Sequence, residues 1–137
     1  VVVHIILGLP GESRETVLRT IDYLNRLPIQ GVKLQLLHVL SDSDLADLYR
    51  AGEYTPLEKE EYLTLVGDCI AHLRADIVLH RLTGDGDKNT LLAPLWSLRK
   101  RDVLNHLHRY LRENHIRQGM SCKIDLSVIY NKPKDVL

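Results

Sequence analysis

The chain opens on a run of apolar, largely β-branched residues, Val1 to Leu7, that breaks into Gly8-Leu9-Pro10-Gly11-Glu12 and then, from Ser13, into a helical repeat. A run so nearly continuous in apolar residues, broken only by His4, is the pattern of a central parallel strand covered on both faces. Glycine and proline at its end let the backbone turn sharply and place Glu12 at the carboxyl end of the strand, where open α/β folds hold ligands. From Glu15 to Leu27, Val17, Leu18, Ile21 and Leu24 recur at intervals of three and four, one apolar helix face capped by Ser13 and stopped by Pro28 and Gly31. Val32 to Leu40 follow as a second strand. A strand, a crossover helix and a strand within 40 residues predict parallel pairing, which selects an α/β fold. The start inside a strand, without Met, is the pattern expected of a piece of a longer protein.

Further along, Ser41 to Asp44 predict a turn and cap for a short helix, Leu45 to Arg50, closed by Gly52, with residues 53–57 as a loop. Leu57 to Leu73 predict a longer helix, with Tyr62, Leu65, Val66, Cys69, Ile70 and Leu73 on one side and three glutamates in the first turn, where they suit the helix dipole. Ile77 to Leu82 predict a third strand, followed by a polar loop to Asn89, a last helix over residues 99–114 and a turn to Ser121. Residues 122–130 alternate as Ile124, Leu126, Val128 and Tyr130, either an extra edge strand or a loose tail. The expected organisation is one domain over residues 1–121, with 122–137 as tail or edge strand. Three strands leave edges uncovered, so self-association greater than that of a full-length protein is expected.

Eighteen basic and eighteen acidic side chains cancel, so no global field recruits nucleic acid or anionic lipid, although a local basic patch remains open. Two cysteines, Cys69 and Cys122, match no CxxC or zinc-finger spacing, and Cys69 falls inside a helical apolar face as a buried thiol would. Apolar runs stay under ten residues and no export signal is present, so a cytoplasmic protein without a membrane span is expected.

Several residues are placed to do chemistry. The Gly8–Glu12 segment lacks the spacing of a dinucleotide or phosphate loop; it is either a tight turn or a strand end that Gly8 leaves open to a ligand. His4 and Ile6 share one side of the first strand, the interior if the sheet closes into a barrel, where His4 is either a core histidine or a ligand. Gln35 and Leu37 alternate in the second strand, and His38 lies near its exit. His80, Arg81 and Asp85 gather at the end of the third. There Arg81 can clamp a carboxylate or phosphate and His80 can move a proton, or Arg81 can simply pair with Asp85. The acids Asp85 and Asp87 fall short of a calcium loop, and no metal-binding histidine pair occurs. Few aromatics and no Phe argue against a base-stacking platform.

Taken in order, His-Ile-Ile-Leu-Gly-Leu-Pro-Gly-Glu at 4–12, Lys-Leu-Gln-Leu-Leu-His-Val at 33–39, Glu-Glu-Tyr at 60–62, His-Arg-Leu-Thr-Gly-Asp at 80–85 and Ala-Pro-Leu-Trp-Ser-Leu at 93–98 make the chain resemble a known family. It resembles the carboxyl-terminal half of a radical S-adenosylmethionine protein of the Elp3-like uncharacterised bacterial group, over residues 1 to about 119. The resemblance implies an incomplete partial TIM barrel of parallel strands and crossover helices. It also implies, in the full-length parent, S-adenosylmethionine cleaved at a [4Fe-4S] cluster to give a radical that abstracts substrate hydrogen. The three clustered cysteines that hold such a cluster are missing here, and Cys69 and Cys122 do not replace them. By the same resemblance His4, Ile6, Gly8, Leu37 and His38 would face the cofactor, and His80, Arg81 and Asp85 the unknown substrate. Transfer RNA modification is the reaction class it brings forward, and the chain alone would be inactive. Two other readings stay open: a noncatalytic α/β interaction module, and a cluster-independent hydrolase or transferase pairing His80 with Asp85.

Overall fold

The computed structural model describes residues 1–82 and 87–124. In chain order the elements are β1 (Val2–Leu7), α1 (Arg14–Asn25), β2 (Gly31–Leu36), β3 (Val39–Leu40), α2 (Asp44–Arg50), α3 (Lys59–His72), β4 (Val78–Arg81), β5 (Leu91–Ala93) and α4 (Lys100–Glu113), with a 3-10 turn at Leu95–Leu98. β1, β2 and β4 form one parallel sheet in that order, with Val2 opposite Gly31 and Leu7 opposite Leu36. The fold is thus the expected parallel α/β arrangement, its strands joined through helices.

Local chemistry sets the helix ends. The Ser13 hydroxyl accepts the Thr16 N–H at 3.2 Å, and Glu58 and Glu61 form a reciprocal capping box at the start of α3. Val17, Ile21 and Leu24 of α1 and Tyr62, Val66, Cys69 and Ile70 of α3 join Ile5, Leu7, Val32, Leu34 and Leu36 in one core. Val103 and Leu107 extend it under α4.

Two expectations are corrected. β1 is covered on one face, because α1 and α3 pack into one cluster on the same side of the sheet; Ile5 and Leu7 are buried while Val2, His4 and Ile6 are exposed. The apolar run 32–40 is also two strands. The parallel ladder ends at Leu36, and β3 turns away to pair antiparallel with β5, a strand the sequence pattern did not reveal. Val39, Ala46, Tyr54 and Ala93 make a second small core there. The tail, left open between an extra edge strand and a loose end, has no regular structure over Cys122–Ile124, and the remainder of it lies outside the described residues.

Arg74 closes the opposite end of the sheet and is only 1% exposed. Its Nη1 donates to the carbonyls of Asn25 at 2.8 Å and Leu27 at 3.1 Å, its Nη2 to Ile29 at 3.2 Å, and its Nε to Asp76 at 2.6 Å. The Asn25 amide answers, donating to the His72 carbonyl at 2.7 Å and accepting the Arg74 N–H at 2.8 Å. One guanidinium therefore serves carbonyls of the α1–β2 connection that would otherwise be buried without donors.

Arg74→Met keeps the volume but strips those donors, and it should cost about 3–5 kcal/mol. Urea unfolding measures this; an unchanged midpoint would show that the carbonyls find water. The outer edges of β1 and β4 carry no partner strand among the described residues. We expect the chain to self-associate as its concentration rises, and a monodisperse monomer in size-exclusion chromatography at high concentration would contradict this.

Candidate functional site

Alternation along the three parallel strands sorts their side chains onto two faces. Val3, Ile5, Leu7, Val32, Leu34, Leu36 and Leu79 pack toward the helices. Val2, His4 and Ile6 of β1, Lys33 and Gln35 of β2, and Val78 and His80 of β4 take the other, open face. His4 and Ile6 therefore lie side by side on this face, with Ile6 40% exposed and directly opposite Gln35 in the register. His4 faces Lys33. His4 is accordingly no core histidine.

His80 also belongs to the open face, but low on it. A Cβ built on Gly31 would collide with His80 Nε2, would stand 2.6 Å from its Cδ2, and would lie 3.2 Å from Val2 Cγ2. The imidazole thus lies over the bare backbone of Gly31, near the amino ends of the strands, away from the carboxyl edge where the motif suggested a gathering. A register shift between Val32 and Lys33 brings Arg81 opposite Lys33, at the level of His4. Asp85, and with it the proposed pairing to His80 or Arg81, lies outside the described residues.

The carboxyl edge holds Gly8, Leu37 and His38. Gly8 has φ +99°, a conformation that disfavours any other residue, and a Cβ there would meet Leu57 Cδ1 at 3.3 Å and the Tyr54 hydroxyl at 3.6 Å. Tyr54 donates to the Gly8 carbonyl at 2.6 Å. The space that a side chain would take is filled by protein, so close packing and backbone geometry, rather than ligand access, account for this glycine. Leu37 donates its N–H to the Leu7 carbonyl at 2.9 Å, one rung beyond the ladder, and its side chain packs on the second core. His38 is half-buried and its Nε2 is buried with no hydrogen-bond partner among the described residues. Burial first, and the Lys100 ammonium second, push its pKa down, which favours the neutral ring.

A groove of about 500 Å³ lies on the helix side of the sheet, lined by Gly8, Glu12, Arg14, Leu57, Glu61 and Asp68 among others. Three of its charges are already used, since Arg14 Nε donates to Asp68 at 2.7 Å and Glu61 caps α3. Partial burial raises the Glu12 pKa. The groove and the open face lie on opposite sides of the sheet.

The two cysteines do not make a cluster site. Cys69 is 1% exposed inside the core, where burial drives its thiol pKa up to about 12, and Cys122 sits against the Asn25 amide. No group of three metal-ligating side chains occurs among the described residues, and none of their helices is long and apolar enough to cross a membrane. The open face is different. Apolar Val2, Ile6 and Val78 interspersed with His4, Lys33 and Gln35 suit a ligand with a flat apolar body and polar edges.

Residues 29–113 match the Radical_SAM C-terminal domain. YtqA of Bacillus subtilis is 34% identical over 116 residues, 85% of this chain and 36% of that protein. YhcC of Escherichia coli K12 is 34% identical over 113 residues, 82% of this chain and 37% of that protein. The chain therefore spans about a third of the length of these relatives. Among solved structures, the archaeal Elp3 of Methanocaldococcus infernus, with its amino terminus deleted, superposes with a TM-score of 0.67 at 15% identity, covering 85% of this chain and 28% of that one.

The His38 ring gives a pH signature. Below its ordinary value of 6.5 the unfolded chain takes up a proton that the folded chain resists, so stability falls as pH drops; above that value both states are neutral and the contribution vanishes. Glu12, shifted up from 4.5, acts in the opposite sense around and above that lower pH. Denaturation from pH 7.5 to 5.5 should show a loss of stability that is smaller in His38→Asn, and parallel curves for the two proteins would mean that the ring is solvated.

Proposed function

Because this chain belongs to the Radical_SAM C-terminal domain family, we propose that its open sheet face forms part of the wall of an S-adenosylmethionine site in a radical enzyme. The carrying observation is that face itself: Val2, His4 and Ile6 stay exposed on a strand whose other side is buried, and no described residue packs over them. In a fold similar to that of Elp3, an exposed inner face is what a cavity wall looks like when seen alone.

Each residue then has a defined task. Ile6 supplies flat apolar contact for an adenine ring, and Gln35, opposite it, offers both a donor and an acceptor to a base edge. His4 and Lys33 stand one step lower, suited to hydroxyl or carboxylate groups. Leu37 and His38 close the upper edge, where the buried Nε2 of His38 is a polar atom still lacking a partner. On this reading Arg81, level with His4, faces the bound molecules, while His80, near the amino ends of the strands, stands away from them. When bound, S-adenosylmethionine with a [4Fe-4S] cluster supplies hydrogen-abstraction chemistry. The cluster itself does not fit this chain, so its ligands have to come from other polypeptide. Transfer RNA is the substrate class to try first, carried over from the family resemblance.

The test uses the full-length protein, reconstituted anaerobically with iron and sulfide. An iron–sulfur absorption spectrum, S-adenosylmethionine binding and release of 5′-deoxyadenosine are expected. Ile6→Asp should weaken S-adenosylmethionine binding at least tenfold with little change in stability, since Ile6 lies outside the core. A full-length protein without a cluster, or one in which Ile6→Asp binds normally, would sink the reading.

A further inference from the structure

The charges of this neutral chain are not spread evenly. Residues 99–117 hold six Lys and Arg (Arg99, Lys100, Arg101, Arg109, Arg112, Arg117) against two acids, Asp102 and Glu113, a net of +4 that leaves −4 for the rest. All six are exposed. On a helix of 3.6 residues per turn, Arg101, Asn105, His108 and Arg112 fall on one line, flanked by Arg109, while Val103 and Leu107 face the core. Asp102 is turned aside, 3.6 Å from Lys59 Nζ and 3.5 Å from His106 Nε2. Among the described residues no carboxylate pairs with Arg99, Arg101, Arg109 or Arg112.

Helix stability does not account for this pattern. Arg109 and Arg112 suit the carboxyl end of α4, but Arg99, Lys100 and Arg101 crowd its amino end, where the dipole is positive and acids would be favoured. Like charges along one face add repulsion. A polyanion lying on the ridge removes both costs. Five of the six cations are arginine, which forks onto phosphate and stacks on unpaired bases, where lysine would serve as a bare charge. The exposed positions of α4 carry no apolar side chain of the kind that inserts into a bilayer.

We propose that the outer face of α4, from Arg99 to Arg117, is a docking surface for folded RNA, held by its phosphates and by unpaired bases stacked on arginine. The inference goes beyond the cofactor site, which lies on other elements, and binding here requires neither cluster nor S-adenosylmethionine, so the two readings fail separately.

The probe is a labelled RNA hairpin with an unpaired loop, titrated by fluorescence anisotropy against this 137-residue chain over a range of salt. A DNA duplex of equal length and phosphatidylserine vesicles are run alongside. The hairpin should bind with a steep salt dependence. Arg101→Ala, Arg109→Ala and Arg112→Ala together should weaken binding at least tenfold and lower the log–log salt slope by about two, three contacts at roughly 0.7 each. The matching triple lysine variant should recover the slope. The alanine variant should melt close to the parent, because all three side chains are exposed and alanine favours helix. Absent RNA binding, an alanine variant that binds like the parent, equal affinity for duplex DNA, or a preference for the vesicles would each overturn the proposal.

Discussion

The buried guanidinium of Arg74 satisfies backbone carbonyls at the point where the apolar core gathers α1, β2 and β4. It ties the end of α1, the connection into β2 and the start of β4 through carbonyls at Asn25, Leu27 and Ile29, with Asp76 as its counter-charge. Gln118 adds bonds to the carbonyls of Arg74 at 2.9 Å and Ile77 at 2.6 Å, bringing the chain after α4 to the same point. A charge this deep is tolerated only because every neighbour is an acceptor. This junction fixes how the α1–β2 connection closes over the amino ends of the strands. The opposite, carboxyl edge is therefore free to carry residues chosen for chemistry, such as His38 with its unpartnered nitrogen.

Where a single local rule decides an element, the sequence was enough to read it. The intervals of Val17, Leu18, Ile21 and Leu24 give α1 and its buried face, Ser13 gives its start, and the two flanking apolar runs give a parallel pair. Leu37 to Leu40 misled because apolar continuity cannot say which partner a strand takes; Val39 pairs with Ala93, more than fifty residues away. The nearly continuous apolarity of Val1–Leu7 likewise suggested two covered faces. Pattern alone does not count the layers available to cover them, and this chain brings its helices to one side.

The candidate site was legible to the same degree. Alternation places His4 and Ile6 together without any knowledge of tertiary structure. The Tyr54 hydroxyl on the Gly8 carbonyl, and Lys33 opposite His4, depend on contacts that no spacing in the sequence encodes. Arg74 is the sharpest omission: amid eighteen basic residues nothing about Leu73-Arg74-Ala75-Asp76 marks it as internal. Its one signal, an arginine just past a helix cap and two residues before an aspartate, is too common to weigh.

The imidazole of His80 resting on the bare backbone of Gly31 ties two positions 49 apart in the sequence. No side chain at position 31, not even a methyl group, fits while the ring keeps its place, and β2 cannot recede because its other face is anchored in the core. Bulk gained at position 31 therefore swings the exposed imidazole outward or favours a smaller residue at position 80, so the two sites answer to each other although the core does not.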